Sequence, residues 1–386
     1  MKVLTFNKSG KILKSVRIFA NKTLLKNVNQ YTYLGFTVAS SGTLSHGINN
    51  LIDKAKRAWF SIKNIFYKSR SKNISTYTVL FDYVIKPIML YACEIWGTNI
   101  KTGYSACFDN NSIETFHLRF CKNMLGVHRG TSNIGTLAEI GRYPLATEIH
   151  KRMVRYLLRF KILNENTLVA KAFREQETEN NKTLWLTQTR TFLDEIGMNM
   201  VHTKMKEMNN KESDFKRISK MTYDREKETF EQKVWHEIDS KMEKSKGKLL
   251  FFGKLKHRYG YEKYLNIPNV LNRQAISQIR LSAHKLEIEM GRYQEIGKRD
   301  RICQYCRSGE VESEYHFIAV CPNYKDIRGK LREELIKHDE TYINLGWSYI
   351  LDILFTKNDL KALNLLGQFL RRCWERRELM GCNLTQ

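Results

Sequence analysis

The sequence has little proline, few acidic residues relative to basic ones, and no long apolar run. Only four of its 386 residues are proline, which favours long helices. No apolar stretch reaches the roughly 18–20 residues that a membrane-spanning helix needs, and no N-terminal hydrophobic segment resembles a secretory signal. We therefore expect no membrane partner and a location in a reducing intracellular compartment, nuclear or cytoplasmic, where the eight cysteines stay reduced.

Familiar catalytic motifs are missing as well. The sequence has no adjacent pair of aspartates, no Walker-type phosphate loop, no GxSxG and no HExxH. Paired carboxylates that could hold two catalytic metal ions are not recognisable either. We expect a protein that is not an enzyme and takes no small-molecule substrate. An enzyme whose acidic residues converge only in the folded chain remains an alternative.

Positive charge and core-forming residues are what the sequence does contain. Hydrophobic residues make up 42% of the chain, enough for packed domains. The formal net charge is +25 and the isoelectric point is near 9.6. Charge this one-sided is typical of proteins that bind RNA or DNA. An anionic membrane and a basic surface without a specific partner are the competing interpretations.

Periodicity predicts a mainly α-helical protein that begins with short β-strands. Alternating and β-branched residues favour strands at 3–6, 12–19 and 31–39. Apolar residues spaced three and four apart predict helices at 44–66, 74–96, 112–125, 133–140 and 145–163. Pro87 should kink or split the second of these helices. Ser112 is a candidate N-cap for the third helix, and Gly126 a candidate C-cap.

Composition changes along the chain divide it into four predicted parts. Residues 1–43 hold the strands, 44–163 a helical domain, and 249–386 a basic helical domain. Between them, residues 164–248 are polar, rich in Lys and Glu, and sparsely apolar. This pattern indicates exposed or bridging helices between two packed regions.

The clearest motif for a ligand lies at residues 303–321. Cys303 and Cys306 have the CxxC spacing, His316 follows after nine residues and Cys321 after four more. Three cysteines and a histidine at such spacing are typical of a structural zinc site with no open coordination position. Arg299, Arg301 and Arg307 would help to keep the thiols deprotonated. A chance CxxC beside an unrelated histidine and cysteine is the alternative.

Basic residues are interspersed with aromatic ones in several segments, a combination suited to phosphate contact and base stacking. A solvated helix face is the alternative for each segment taken alone. The candidate nucleic-acid-binding residues are Lys54, Arg57, Lys63, Lys151, Arg152, Arg155, Arg159, Lys254, Lys256, Arg258, Arg292, Arg299 and Arg301.

Five segments together resemble the reverse transcriptase of non-LTR, LINE-like retrotransposons. KVLTFNK at 2–8 looks like the strand after that family's palm motifs, and YTYLGFTVASSGTLSHGINNLIDKAKRA at 31–58 is similar to its YLG strand and first thumb helix. PIMLYACEIWG at 87–97 and FHLRFCKNMLGVHRGTSNIGTLAEIGRYPL at 116–145 resemble the stretches that follow. LEIEMGRY at 286–293, followed by Arg301 and the cysteines, is similar to the segment before the family's CCHC knuckle.

The resemblance implies that residues 1–43 are the edge of a palm sheet, 44–163 a thumb-like domain, 164–248 a connection, and 249–386 a domain containing the zinc knuckle. It also implies that the metal-binding aspartates of the palm, and an endonuclease, would lie before residue 1. The expected function is to bind RNA or a primer–template duplex without catalysis. A domesticated zinc-binding module with a protein partner is the alternative.

Overall fold

The computed structural model describes residues 1–13, 15–69, 73–179, 181–199, 201, 212–244, 247–357 and 359–384, with side chains omitted at 66–69, 161, 212 and 382–384. The fold is mainly α-helical with a few short strands, as predicted. Among the described helices, none combines the length and apolarity needed to cross a membrane.

The strands form three separate two-stranded pieces. They are β1 (Lys2–Leu4), β2 (Phe19–Ala20), β3 (Thr23–Leu24), β4 (Lys26–Val28), β5 (Gln30–Tyr33) and β6 (Phe36–Ala39). β1 pairs with β4 in parallel, whereas β2–β3 and β5–β6 are antiparallel. The predicted strand at 12–19 is not formed, since of the residues described there only Phe19 is in a strand.

The predicted single strand at 31–39 is a hairpin, so that prediction was wrong. Leu34 and Gly35 both have positive φ, 45° and 86°. This backbone makes the two-residue turn whose twist matches antiparallel strands. Gly35 adopts it without steric cost, whereas Leu34 does not. The aromatic and β-branched residues on either side of the turn favour a strand, so the sequence pattern does not indicate the turn.

The helices follow the strands along the rest of the chain. They are α1 (Ser45–Ser69), α2 (Ile74–Leu80), α3 (Lys86–Met89), α4 (Cys93–Trp96), α5 (Gly103–Ala106), α6 (Ser112–Leu125), α7 (Asn133–Ile140), α8 (Leu145–Arg159), α9 (Leu168–Thr178), α10 (Trp185–Glu195), α11 (Glu212–Glu243), α12 (Leu250–Leu255), α13 (Val270–Arg280), α14 (Glu287–Tyr293), α15 (Lys325–His338), α16 (Trp347–Lys357) and α17 (Leu360–Leu384).

The predicted second helix is split, as expected from Pro87. A π-helical turn, Phe81–Ile85, precedes α3, in whose first turn Pro87 lies. The wider turn fits a residue that has no N–H and crowds the preceding carbonyl.

α6 has the predicted bounds and ends at Gly126, whose φ is +67°. Its first turn is capped by Asn111 instead of Ser112, because the Asn111 Oδ1 accepts from the Ile113 N–H at 2.8 Å.

The chain divides into two compact units built from separate segments. The first contains 1–71, 75–117 and 144–230, and the second contains 72–74, 118–143 and 231–386. These limits differ from the predicted limits at 43, 163 and 248. Helices α6 and α11 each contribute residues to both units, so a change in composition along the sequence does not coincide with a unit boundary.

Described helices of the polar segment 164–248 contribute side chains to cores, so they are not exposed on every side. Phe215 and Ile218 of α11 belong to the core of the first unit, together with Met153, Leu157 and Leu193. Further along α11, Phe230, Val234 and Ile238 are buried as well. The apolar residues are sparse because a long helix packs through only one narrow face. Its remaining positions face solvent and are polar.

A buried ion-pair network lies in the second unit. The Arg280 Nε donates to the Glu139 Oε1 at 2.5 Å, its Nη2 to Oε2 at 3.1 Å, and the Tyr264 hydroxyl to Oε1 at 2.7 Å. Burial alone would raise the pKa of Glu139, but the positive charges of Arg280 and Lys256 outweigh it and lower that pKa. The carboxylate is therefore buried in its charged form.

Replacing Arg280 by Ala should lower the free energy of unfolding by about 3–5 kcal/mol, because buried Glu139 loses its bidentate partner and keeps only Lys256, 4.0 Å away, as a countercharge. Chemical denaturation measures this change. The double variant E139L/R280M, which removes both charges and keeps the volume, should recover most of the loss. An Arg280→Ala variant as stable as the unchanged protein would show that the pair contributes nothing to stability.

Candidate metal centre and nucleic-acid interface

A short hairpin carries the CxxC segment. Ile302 and Val311 form an isolated antiparallel bridge, and the Cys303 N–H donates to the Glu310 carbonyl at 2.8 Å. Between them Arg307 and Gly309 have positive φ, 54° and 72°. The chain thus turns back immediately after Cys306 and returns alongside Cys303.

A π-helical turn positions the other two candidate ligands. It comprises His316–Val320, and the Cys321 N–H donates to the His316 carbonyl at 2.7 Å, closing the five-residue turn. Ser313 caps the start, since its Oγ accepts from the His316 N–H at 3.1 Å. Two residues five apart would diverge on an α-helix, whereas the wider turn brings them together.

The hairpin and the π turn bring the four predicted ligands into one cluster. Their ligand atoms all lie within 4.8 Å of one another, and Cys303, His316 and Cys321 are buried while Cys306 is half-buried. Bonds of about 2.0–2.3 Å to a central ion would place such atoms within about 4.6 Å of one another. The cluster can hold a metal ion, and within the described residues no other group of three or more histidines, cysteines or acids can do so.

Hydrogen bonds among the four candidate ligands shift the pKa values of Cys303, His316 and Cys321. The hydrogen bond with Cys321 and burial raise the pKa of the Cys303 thiol to about 12, and the same hydrogen bond lowers the pKa of Cys321. Burial opposes the charge on His316, but hydrogen bonds to Cys303, Glu310 and Cys306 outweigh it and raise the pKa of the ring to about 9. Metal binding has to displace these protons.

Glu310 orients the histidine, a role that the sequence analysis missed. Its Oε2 lies 2.8 Å from the His316 Nδ1, and the Cys306 Sγ lies 3.4 Å from Nε2. Nε2 is therefore the ring nitrogen that faces the sulfur atoms. A carboxylate on the other nitrogen is the usual partner of a metal-binding histidine. Its position in the hairpin, six residues before His316, is the signal that could have identified it.

Glu312 and Arg377 secure the hairpin from outside the cluster. The two side chains form a buried bidentate ion pair, and the Glu312 Oε1 lies 3.5 Å from the Cys303 Sγ. The Arg377 guanidinium also lies over the Tyr305 ring, 4.2 Å from its centroid, and donates to the Lys285 carbonyl at 3.1 Å. Arg377 is far from the cluster in sequence, and no sequence signal pointed to it.

The predicted basic cluster of α8 lines one pocket of the first unit. The pocket has a volume of 400 Å³ and is lined by Glu94, Glu148, Lys151, Arg152, Arg155, Tyr156 and Arg159. Glu148 pairs with Arg152 at 3.3 Å and lies 3.6 Å from the Lys151 Nζ. Four cations against two carboxylates leave the pocket positively charged.

The other candidates occupy several surfaces. Lys54, Arg57 and Lys63 are exposed on α1, and Lys254, Arg258 and Arg299 are exposed in the second unit. Lys254 and Arg301 line a pocket of 150 Å³ beside Glu314 of the hairpin-to-π-turn segment. The α1 and α8 candidates belong to the first unit and the remaining candidates to the second, so the predicted residues are divided between the two units.

Outside α8, the three candidate cations that are buried or half-buried all have structural partners. Lys256 is buried and pairs with Glu262, so it is removed from the predicted nucleic-acid-binding set. Arg301 donates to the carbonyls of Ile288 and Ile296 at 2.8–3.0 Å, and so braces the backbone instead of facing the thiols as predicted. Arg292 is half-buried and donates to Glu289 at 2.6 Å. Sequence periodicity could not separate Lys256 and Arg301 from exposed cations, because their partners lie outside the elements that carry them.

Comparison with known proteins gives no family assignment. No protein-family model, no curated protein and no solved structure matches this chain. Functional inference therefore rests on the residues and their geometry.

Replacing Glu310 by Ala should weaken metal binding about 10- to 100-fold, because the carboxylate that orients His316 is lost. Competition with a chromophoric chelator measures the affinity. Glu334→Ala, which removes an exposed carboxylate of α15 in the same unit, is the matched control and should bind like the unchanged protein. Equal affinity for both variants would show that Glu310 does not support the site.

Proposed function

We propose that this chain binds nucleic acid and corresponds to the thumb, connection and zinc-knuckle region of a LINE-like reverse transcriptase. The observation that carries the proposal is the positively charged pocket of α8, lined by Lys151, Arg152, Arg155 and Arg159. Phosphates are the ligands that such a group of cations attracts most strongly. The net charge of +25 supports the same partner.

We further propose that the ion at Cys303, Cys306, His316 and Cys321 is a structural Zn²⁺. Three sulfur donors and one imidazole match the preference of zinc and leave no position for water or substrate. Glu310 and Glu312 hydrogen-bond to His316 and Cys303. Carboxylates that orient the ligands of a metal ion in this way are common around zinc sites.

In this proposal the basic helices contact the phosphate backbone largely independently of sequence, and the knuckle binds single-stranded or structured RNA. The chain itself is proposed to be non-catalytic, since its sequence offers no carboxylate pair for polymerase metal ions. A zinc-binding module whose basic surface meets a protein is the second candidate. A purified chain that binds neither RNA nor DNA at low salt would favour it.

Purified protein should contain one equivalent of zinc, and Cys306→Ser should abolish it. Zinc contributes about 10–16 kcal/mol to the folding of small modules of this kind, so the segment 303–321 should also lose its structure. Elemental analysis and amide hydrogen exchange measure the two effects.

Cys107→Ser is the matched control for the loss of a thiol. The Cys107 Sγ donates to the Gly103 carbonyl, a bond that a hydroxyl can replace, so this variant should retain full zinc. A well-protected segment 303–321 in protein without metal would contradict the zinc proposal.

Nucleic-acid affinity should fall steeply with salt. Five or six phosphate contacts imply a slope of log K against log salt of roughly −4 to −5, or about 10²–10³-fold weaker binding between 50 and 200 mM. Replacing Lys151, Arg152, Arg155 and Arg159 by Ala should make the slope shallower by about 3. Binding to unrelated sequences should weaken equally. Fluorescence anisotropy at several salt concentrations provides the slopes.

A control variant removes four charges from the N-terminal strands and the loop between them. Lys2, Lys8, Lys11 and Lys26 are all exposed, and changing them to Ala keeps the net charge equal to that of the α8 variant. Its slope should stay within about one unit of the unchanged protein, because only charges that contact phosphates contribute to the slope. Equal slopes for both variants would show that α8 makes no phosphate contacts.

A further inference from the structure

A cavity of 780 Å³ lies in the first unit, between the start of α1, the segment after α4, and helices α8 to α10. Its volume is in the range of cavities that bind organic ligands. Four aromatic side chains line it: Tyr156, Phe160, Phe173 and Trp185. All four are half-buried, so part of each ring is accessible from the cavity or its mouth.

The aromatic rings are held in fixed positions. Phe160 and Phe173 stack with centroids 4.3 Å apart and an interplanar angle of 11°. Trp185 meets Phe160 edge-on at 5.9 Å, and its Nε1 donates to the Glu94 carbonyl at 2.9 Å. Rings held in this way lose little freedom when a planar ligand stacks on them.

Polar groups complete the lining. Thr98, Asn99 and Gln188, which carry a hydroxyl and two amides, line the same cavity. A side-chain amide carries both a hydrogen-bond donor and an acceptor. The edge of a nucleobase also carries donors and acceptors, so the two groups can pair. A cavity meant for an aliphatic chain would need no such groups.

The cavity adjoins the positively charged pocket of α8. Tyr156 lines both, and Trp185 is hydrogen-bonded to the backbone of Glu94, which also lines the charged pocket. Arg159, exposed on the rim of the charged pocket, directly precedes Phe160 of the cavity. An aromatic cavity beside a group of cations matches one nucleotide unit, with its base in the first and its phosphate at the second.

We propose that this cavity accepts an unpaired base of a single-stranded nucleic acid whose phosphates contact the α8 cations. The inference rests on the proposed nucleic-acid binding and adds a preference to it. A base in a duplex is stacked between its neighbours and cannot enter, so the cavity should favour single strands over duplexes. Stacking on aromatic residues tolerates any base, so little sequence preference is expected.

Filling the cavity tests the inference. Ala172 is exposed and lines the cavity from α9, and Val169 lines it one turn earlier. Ala172→Trp and Val169→Trp should each weaken binding to a ten-nucleotide single-stranded RNA about tenfold, the loss of one stacked base. Binding to the same strand annealed to its complement should change less than about twofold. Thr178→Trp, at an exposed position of α9 that does not line the cavity, is the matched control and should bind both probes like the unchanged protein.

A second readout follows the base directly. A 2-aminopurine placed in the single-stranded probe should lose fluorescence on binding, through stacking, and should keep it with Ala172→Trp. The inference is overturned if both cavity variants bind the single strand as tightly as the unchanged protein, or if they weaken both probes equally. Failure of the proposed function is a different result, because the unchanged protein would then bind neither probe.

Discussion

The buried ion pair between Glu312 and Arg377 is the interaction on which the candidate metal centre depends. Glu312 is 1% exposed and approaches Cys303, while Arg377 reaches Tyr305 and the Lys285 carbonyl. A carboxylate buried this deeply is stable only with a countercharge, so α17 has to supply one. The pair therefore joins the hairpin that carries Cys303 to a helix that is distant in sequence.

Because buried carboxylates need countercharges, the basic residues of the protein fall into two groups. Arg280, Arg301 and Arg377 satisfy buried carboxylates or carbonyls and contribute to stability. Others, such as Arg159 and Lys254, are exposed and remain available for a polyanion. The net charge of +25 therefore overstates the positive charge that is exposed to solvent, and the α8 pocket, with four cations and two carboxylates, is one place where such charge is concentrated.

Local sequence signals predicted the local features well. The Cys303-to-Cys321 spacing identified the ligand cluster, and the bounds of α6 and α7 followed from apolar periodicity and from Gly126. Predictions failed where two local patterns competed. The aromatic and β-branched residues at 31–39 predict one strand, whereas residues 30–39 form a hairpin that turns at Leu34 and Gly35.

The sequence by itself determined the helical class, the metal-ligand set and the excess of basic residues, because each depends on composition or on spacing within one turn or hairpin. Only the tertiary structure decided which charges are buried, as with Lys256 and Arg301. It also decided that Glu310 contacts His316. Likewise, only the fold brings four aromatic residues from α8, the segment after it, α9 and α10 to the lining of one cavity. The reason is physical: burial and pairing are set by groups on other segments, which no local pattern of residues records.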